Sequence, residues 1–279
     1  MQFNVMNPNW YWDLPTLPAG VVKVYETLGY NDPNWSTASV TKVNAQQKTY
    51  ASLLFDLYSP DILFLNERFA EWNSFTASLT ANKGYAIVGT TPAGHETNCN
   101  PILYNSAEFT LIESGVFDFS TSSIANTDND TSGIRLMTWA ILKSNTTQKS
   151  ILVCNMHLQA GDDSVENYQI RKNQAIAVAN QIATLMSQNS ISGLILGGDM
   201  NSKRNATRDD KEAAVGSAYD ALLSELASRG VTHAYSSTNY GIDHLATMGC
   251  TVNKTATYKG YLAGYISDHC PIYADFTLK

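Results

Sequence analysis

The chain is short of charge: only 15% of its 279 residues are Asp, Glu, Lys or Arg. Its 18 basic residues are outnumbered by 25 acidic ones, for a net charge of −7. It therefore lacks the basic field that holds proteins on nucleic acid regardless of sequence. A nuclease that touches phosphates briefly is not excluded, because a bound divalent cation adds positive charge that side chains do not count. Cysteine is scarce too: the four, Cys99, Cys154, Cys250 and Cys270, form no Cys-x-x-Cys pair and are too far apart for a zinc ribbon. Cys154 and Cys270 lie in apolar strands and read as small buried hydrophobes. Cys99 and Cys250 lie in loop-like sequence and can pair if the compartment is oxidising. No apolar run approaches the roughly 18 residues of a bilayer span, and no low-complexity linker divides the chain. One domain over residues 1–279, acting as a monomer, is the expectation. The abundance of Asn, Ser, Thr and Tyr leans towards a secreted protein, on composition alone; the first residues read as a strand rather than a leader.

What the chain does contain is an interleaving of strand and helix patterns. Residues 1–6 alternate as a short strand, and residues 7–44 run through Pro, Asn, Gly and Trp without periodicity, as a long loop. A helix is predicted over 45–58, ended by Ser59-Pro60, before the buried-strand run Ile62-Leu63-Phe64-Leu65. A helix over 68–81 and strands near 85–89, 101–105 and 108–119 follow. Residues 121–133 read as a solvated loop. Strands at 134–143 and 150–158 form a hairpin, and Tyr168, Ala175, Val178, Ala179, Ile182 and Leu185 mark a helix over 165–187. Ile191 to Gly198, apolar on both faces, is a strand covered from both sides. A helix over 209–228 and strands near 242–247, 255–258 and 271–278 complete the chain. Neighbouring strands are often hairpin-linked, so the sheets should be mixed.

Polar residues stand at the ends of these strands. In Cys154-Asn155-Met156-His157 the alternation puts Asn155 and His157 on one face, either as working groups or with the histidine satisfied in the core. Gly197-Gly198-Asp199-Met200-Asn201 puts a carboxylate and an amide beyond a buried strand. A turn with an Asx cap is the plain alternative.

The ordered set Phe3-Asn4-Val5, Asp61 to Glu67, Pro101-Ile102-Leu103-Tyr104, Asn155-Met156-His157-Leu158, Gly198-Asp199-Met200-Asn201, Ile242-Asp243-His244 and Ser267-Asp268-His269-Cys270-Pro271 resembles the endonuclease/exonuclease/phosphatase superfamily, of the deoxyribonuclease I type. The resemblance implies a four-layer α/β sandwich, two mixed sheets face to face with helices outside. It implies that Asn4 and Glu67, with Asp268 directly or through water, hold a catalytic Mg²⁺ or Mn²⁺, to which oxygen ligands are suited. A further structural Ca²⁺ is left open. Asp199 would orient or deprotonate the attacking water, and Asn201 would donate to the phosphoryl oxygens. His269 would touch the scissile phosphate, with Asp243 holding its ring in one tautomer and raising its pKa. His157 would protonate the leaving oxygen, with Glu96 or Asn98 as its partner. Asn66 departs from the family, which usually has Gln there. His233 and His244 read as structural.

The expected activity is metal-dependent phosphoester hydrolysis, a phosphodiesterase or nuclease before a sphingomyelinase-like phospholipase C or a phosphomonoesterase. From another class, an inactive protein that binds a phosphorylated ligand remains as an alternative. Nucleic acid is favoured over a lipid headgroup. Arg135 is a candidate phosphate contact or a structural ion pair, and Asn155 a candidate substrate contact. Residues 8–44 form an aromatic-rich insertion beside Asn4. Trp10 and Trp12 there either stack on substrate or pack the insertion onto the body.

Overall fold

A computed structural model describes residues 1–5, 37–68, 72–89, 100–118, 135–160, 164–205, 209–238, 241–258, 267 and 269–279, without the side chains of Asn4 and of most of residues 37–50. The expected loop at 121–133, most of the 8–44 insertion with Trp10 and Trp12, His95, Glu96, Asn98, Cys99 and Asp268 lie outside the described residues.

Twelve described strands form two six-stranded sheets. The first contains β1 (Gln2–Asn4), β2 (Ile62–Asn66), β3 (Tyr85–Val88), β4 (Ile102–Asn105), β11 (Cys250–Thr257) and β12 (Ile272–Leu278), in the order β11-β12-β1-β2-β4-β3. The second contains β5 (Phe109–Asp118), β6 (Leu136–Ser144), β7 (Ser150–His157), β8 (Gly193–Asp199), β9 (Thr232–Ser236) and β10 (Asp243–Met248), in the order β5-β6-β7-β8-β10-β9. Each sheet is mixed: β1 with β2 and β7 with β8 are parallel, and the other pairs are antiparallel. The parallel pairs need crossovers, and helices α1 (Thr37–Tyr58) and α3 (Val165–Gln188) lie in them. Helices α2 (Asn73–Asn82), α4 (Asp210–Val215) and α5 (Ala218–Leu226) complete the described set.

Burial defines four layers. Leu54 and Phe55 of α1 and Phe75 and Leu79 of α2 pack on the outer face of the first sheet, against Phe3, Leu63 and Leu65. Val178 and Ile182 of α3 and Leu222 and Leu226 of α5 cover the second sheet over Leu152, Cys154 and Met156. Between the sheets lie Phe64, Ile102, Leu142, Val153 and Leu245. The alternation on β7 thus turns Asn155 and His157 inwards, towards the other sheet, as the sequence predicts.

Four elements differ from expectation. Helix α1 begins at Thr37, inside the expected loop; Thr37, Val40, Thr41 and Val43 are poor helix formers and show no apolar period to signal it. The helix expected over 209–228 is two, α4 and α5, because Gly216 takes φ 88° and Ser217 caps the second, its hydroxyl accepting from the Asp220 amide. Strand β9 was not anticipated, and β11 begins at Cys250 rather than near 255. Among the described residues Cys154, Cys250 and Cys270 are free thiols; Cys99, the candidate partner of Cys250, lies outside them.

Candidate active site

Register brings the polar strand ends together. His157 of β7 pairs with Asp199 of β8, and Asp199 pairs with Asp243 of β10. The three residues therefore stand side by side at one edge of the second sheet. Gly198 makes the approach of β7 possible: at φ 139°, a Cβ there would lie 1.9 Å from the Met156 carbonyl oxygen. In the first sheet Asn4 pairs with Asn66, so the backbones of Asn4 and Glu67 come to the same edge. The Asn4 side chain is outside the described residues.

The side chains converge on Asp199. Its Oδ2 lies 3.7 Å from His157 Nε2 and 3.7 Å from His269 Nε2. His269 Nδ1 donates to Asp243 Oδ2 at 2.8 Å, a carboxylate being an acceptor only. Ligand atoms of Glu67, His157 and Asp199 all lie within 4.8 Å of one another, and so do those of Asp199, Asp243 and His269. Glu67 takes φ 55°, a left-handed conformation that costs a non-glycine residue roughly 1–2 kcal/mol. Asn201 also has a positive φ, 48°. Its backbone N–H donates to Asp199 Oδ1 at 2.9 Å, so the Asx turn weighed from sequence is present. Its side-chain amide donates to the Leu158 carbonyl at 3.1 Å.

Burial sets the charge states. It pushes the Asp199 carboxyl up to about 6; the negative charges of Asp243 and Glu67 add to this, against His269 and the Asn201 amide, which pull it down. Burial, with the nearby charges of Arg135, His269 and Arg171, holds His157 well below the ordinary histidine value, so the free protein keeps it neutral at pH 7. Its Nδ1 is buried and has no hydrogen-bond partner among the described residues. The buried carboxylates of Asp199 and Asp243 with half-buried Glu67 are what a hard divalent cation complements, so the oxygen donors fit Mg²⁺ or Mn²⁺.

Of the other candidates, Arg135 is 2% exposed and acts on His157 through its charge. Asn155 is a correction: it is fully buried, and its amide donates to the carbonyls of Leu65 and Pro101, at 2.8 and 3.0 Å, while its oxygen accepts from Asn66. It joins the two sheets and offers substrate nothing. His244 is structural, its Nε2 donating to the Ser202 carbonyl and its Nδ1 accepting from Ser236 Oγ, both at 2.7 Å, with its ring stacked on Tyr219. His233 bonds to Tyr219.

Two supports went unread in the sequence. Arg171 Nε donates to the Gln159 carbonyl at 2.7 Å, and Gln174 Oε1 accepts from the Gln159 N–H at 2.8 Å. Helix α3 thereby clamps the chain just beyond His157; the i, i+3 spacing of Arg171 and Gln174 on its buried face was the available signal. The other is an amide chain under the site, in which Gln2 Nε2 donates to Asn66 Oδ1 and Asp243 Oδ1.

No protein-family model matches the chain, and no curated protein matches it. Solved structures do. ANGEL2, a 2′,3′-cyclic phosphatase in complex with adenosine-2′,3′-vanadate, is 13% identical with a TM-score of 0.69, over 99% of this chain and 94% of that one. The mannosyl-6-phosphatase Bt3783 of Bacteroides thetaiotaomicron is 17% identical with a TM-score of 0.65, over 84% and 92%. D. rerio TDP2 complexed with a single-strand DNA product is 18% identical with a TM-score of 0.57, over 84% and 92%. At such identities the likeness establishes the fold, which is that of the endonuclease/exonuclease/phosphatase proteins.

Proposed function

We propose that this chain, built on the endonuclease/exonuclease/phosphatase fold, hydrolyses phosphoester bonds with a divalent cation, and that its substrate is a phosphodiester, nucleic acid before lipid headgroup. The observation that carries the reading is the pair of imidazoles aimed at one carboxylate oxygen, each 3.7 Å from Asp199 Oδ2, beside Glu67. A structural core has no use for such an arrangement, because it leaves three carboxylates crowded and one of them strongly perturbed.

Glu67, with Asn4 and Asp268, would hold Mg²⁺ or Mn²⁺. Such an ion polarises a phosphoryl oxygen and offsets the charge that develops on it. Asp199, with a pKa of about 6, is ionised at neutral pH yet basic enough to take a proton from water. Asp243 orients His269, whose Nε2 faces the phosphate position. His157 is neutral in the free protein. An anionic ester against its Nε2 favours the protonated ring, which then gives its proton to the leaving oxygen. Asn201 supplies an amide next to Asp199. The phosphodiester reading is supported by the nucleotide and DNA ligands of the ANGEL2 and TDP2 structures. The phosphomonoesterase reading draws on the mannosyl-6-phosphatase.

The test is a substrate panel of plasmid DNA, RNA, sphingomyelin, inositol phosphates and bis-p-nitrophenyl phosphate, each with Mg²⁺ and with EDTA. Hydrolysis of the diesters that EDTA abolishes, and that His269→Ala lowers by roughly 10²-fold or more, is the expected result. Turnover indifferent to EDTA rejects metal dependence. Cleavage of monoesters alone transfers the reading to a phosphatase.

A further inference from the structure

We infer that Gln2 is a positioning residue for the His269 imidazole, acting through Asp243. The inference rests on the proposed reading of His269 as the group that faces phosphate. Gln2 lies on β1 of the first sheet and is completely buried. Its Nε2 carries two hydrogens and meets two acceptors, Asn66 Oδ1 at 2.9 Å and Asp243 Oδ1 at 3.0 Å. Asp243 belongs to the other sheet, and its second oxygen accepts a hydrogen bond from His269 Nδ1. The carboxylate is thus held at both oxygens, by Gln2 of β1 and by His269 just before β12, both on the side of the first sheet.

The direction of these bonds is not free. Asn155 must point its Nδ2 at the carbonyls of Leu65 and Pro101, which only accept, and so turns its Oδ1 to Asn66. Asn100 must likewise donate to the Leu136 carbonyl and turns its Oδ1 to the same place. Asn66 Nδ2 therefore faces three acceptors, Met156 O, Asn155 Oδ1 and Asn100 Oδ1, so its own Oδ1 can only accept. That leaves Gln2 one orientation, with its N–H groups towards Asn66 and Asp243. Main-chain carbonyls at one end of the chain of amides decide that a donor stands against Asp243 at the other. The donor fixes the turn of the Asp243 carboxylate, and the carboxylate so turned accepts from His269 Nδ1 and sets its Nε2 towards Asp199. Asn66, the departure from the family pattern, is one methylene shorter than Gln, and Gln2 spans the remaining distance to Asp243.

The test uses the full chain labelled with ¹⁵N, free of added metal, and the substitution Gln2→Met, which keeps the length and removes both donors. In the wild type the His269 Nδ1 proton, identified by its loss in His269→Gln, should appear as a downfield resonance sheltered from exchange. Gln2→Met should shift or broaden it. With bis-p-nitrophenyl phosphate and Mg²⁺, kcat should fall by roughly tenfold to a hundredfold with KM within about twofold. In an Asp243→Asn background the same change should cost less than about twofold more, since the route through Asp243 is already cut. An unmoved resonance, or an equal loss of kcat in both backgrounds, overturns the inference. Should Gln2→Met fail to fold, the wild type decides: both Gln2 Nε2 protons should exchange slowly, and exchange as fast as that of exposed glutamines overturns it. If the wild type cleaves no phosphoester, the proposed function fails, while the His269 resonance still tests the positioning.

Discussion

Replacing Asp199 by Asn should make the metal-free protein more stable while abolishing turnover. The folded carboxyl is pushed from 3.8 up to about 6, chiefly by burial. A displacement of about two pKa units, at about 1.36 kcal/mol each, is about 3 kcal/mol of destabilisation at pH 7. The sign follows from proton counting. Between pH 4 and 6 the folded carboxyl keeps its proton and the unfolded one has lost it, so the folded state binds more protons and stability falls as pH rises through this window. Above pH 7 the full penalty is present; below pH 4 both states are protonated and it vanishes. An asparagine never ionises and keeps the acceptor for the Asn201 N–H. Urea unfolding of Asp199→Asn and wild type in EDTA should therefore coincide near pH 4. They should separate up to pH 6 and stay about 2–3 kcal/mol apart at pH 7.5, roughly 5–10 °C in Tm. An Asp199→Asn protein less stable than wild type at pH 7.5, or a difference independent of pH, would refute the account of Asp199 as a strained carboxylate.

Asn155→Leu removes the side-chain donor from the buried Leu65 carbonyl, while the Pro101 carbonyl keeps the Leu65 N–H and Asn66 Nδ2 keeps Met156 O and Asn100 Oδ1. At about 1–3 kcal/mol for the one orphaned group, urea unfolding should show a loss of about 1–3 kcal/mol; no measurable loss would mean that the sheets do not depend on it. Gly198→Ala, with its Cβ 1.9 Å from Met156 O, should yield no soluble folded protein, as judged by circular dichroism. His244 is held down to about 4 by burial, against an ordinary histidine value of 6.5. In that window the unfolded state binds the extra proton, so stability falls as pH drops from 7 to 4. The wild type should lose up to about 3 kcal/mol more than His244→Gln over that range, and superimposable unfolding profiles would count against this.

Legibility in the sequence tracked the range of the physics. His157 and Asn155 were placed on one face by the period of a strand, a property of neighbouring residues, and their shared inward direction is observed. The position of Asp199 beyond a buried run with two glycines was equally local. Asn155 was misassigned for the same reason: its facing was readable, but its partners, Leu65 and Pro101, lie 90 and 54 positions away on the other sheet. Gln2 and Asp243 are separated by 241 positions, and nothing near Gln2 announces the contact. Strand β9 escaped because it is an edge strand, exposed at Thr232 and half-buried from His233 to Ser236, with a register shift against β10 between Leu245 and Ala246. In the helix expected over 209–228, the apolar spacing outweighed Gly216, although glycine in a left-handed conformation before a serine cap is a recognisable stop and restart.

The site is divided between two sheets, Glu67 coming from one and His157, Asp199 and Asp243 from the other, so its geometry depends on how the sheets are set against each other. Apolar packing alone sets this loosely in the sliding direction, because hydrophobic contact is not directional. Hydrogen bonds are, and the amides of Gln2, Asn66, Asn100 and Asn155 stand in the interface immediately under the site. Their neutrality matters as much as their direction. A lysine or arginine there would pair with Asp243 and compete with His269 for it. A carboxylate would add a further negative charge beneath Asp199, whose pKa Asp243 and Glu67 already raise. A side-chain amide donates from its nitrogen and accepts at its oxygen without altering the charge of what it holds. A chain of such amides can therefore align the polar edge of one sheet to the other while leaving the cluster of carboxylates free to meet a cation.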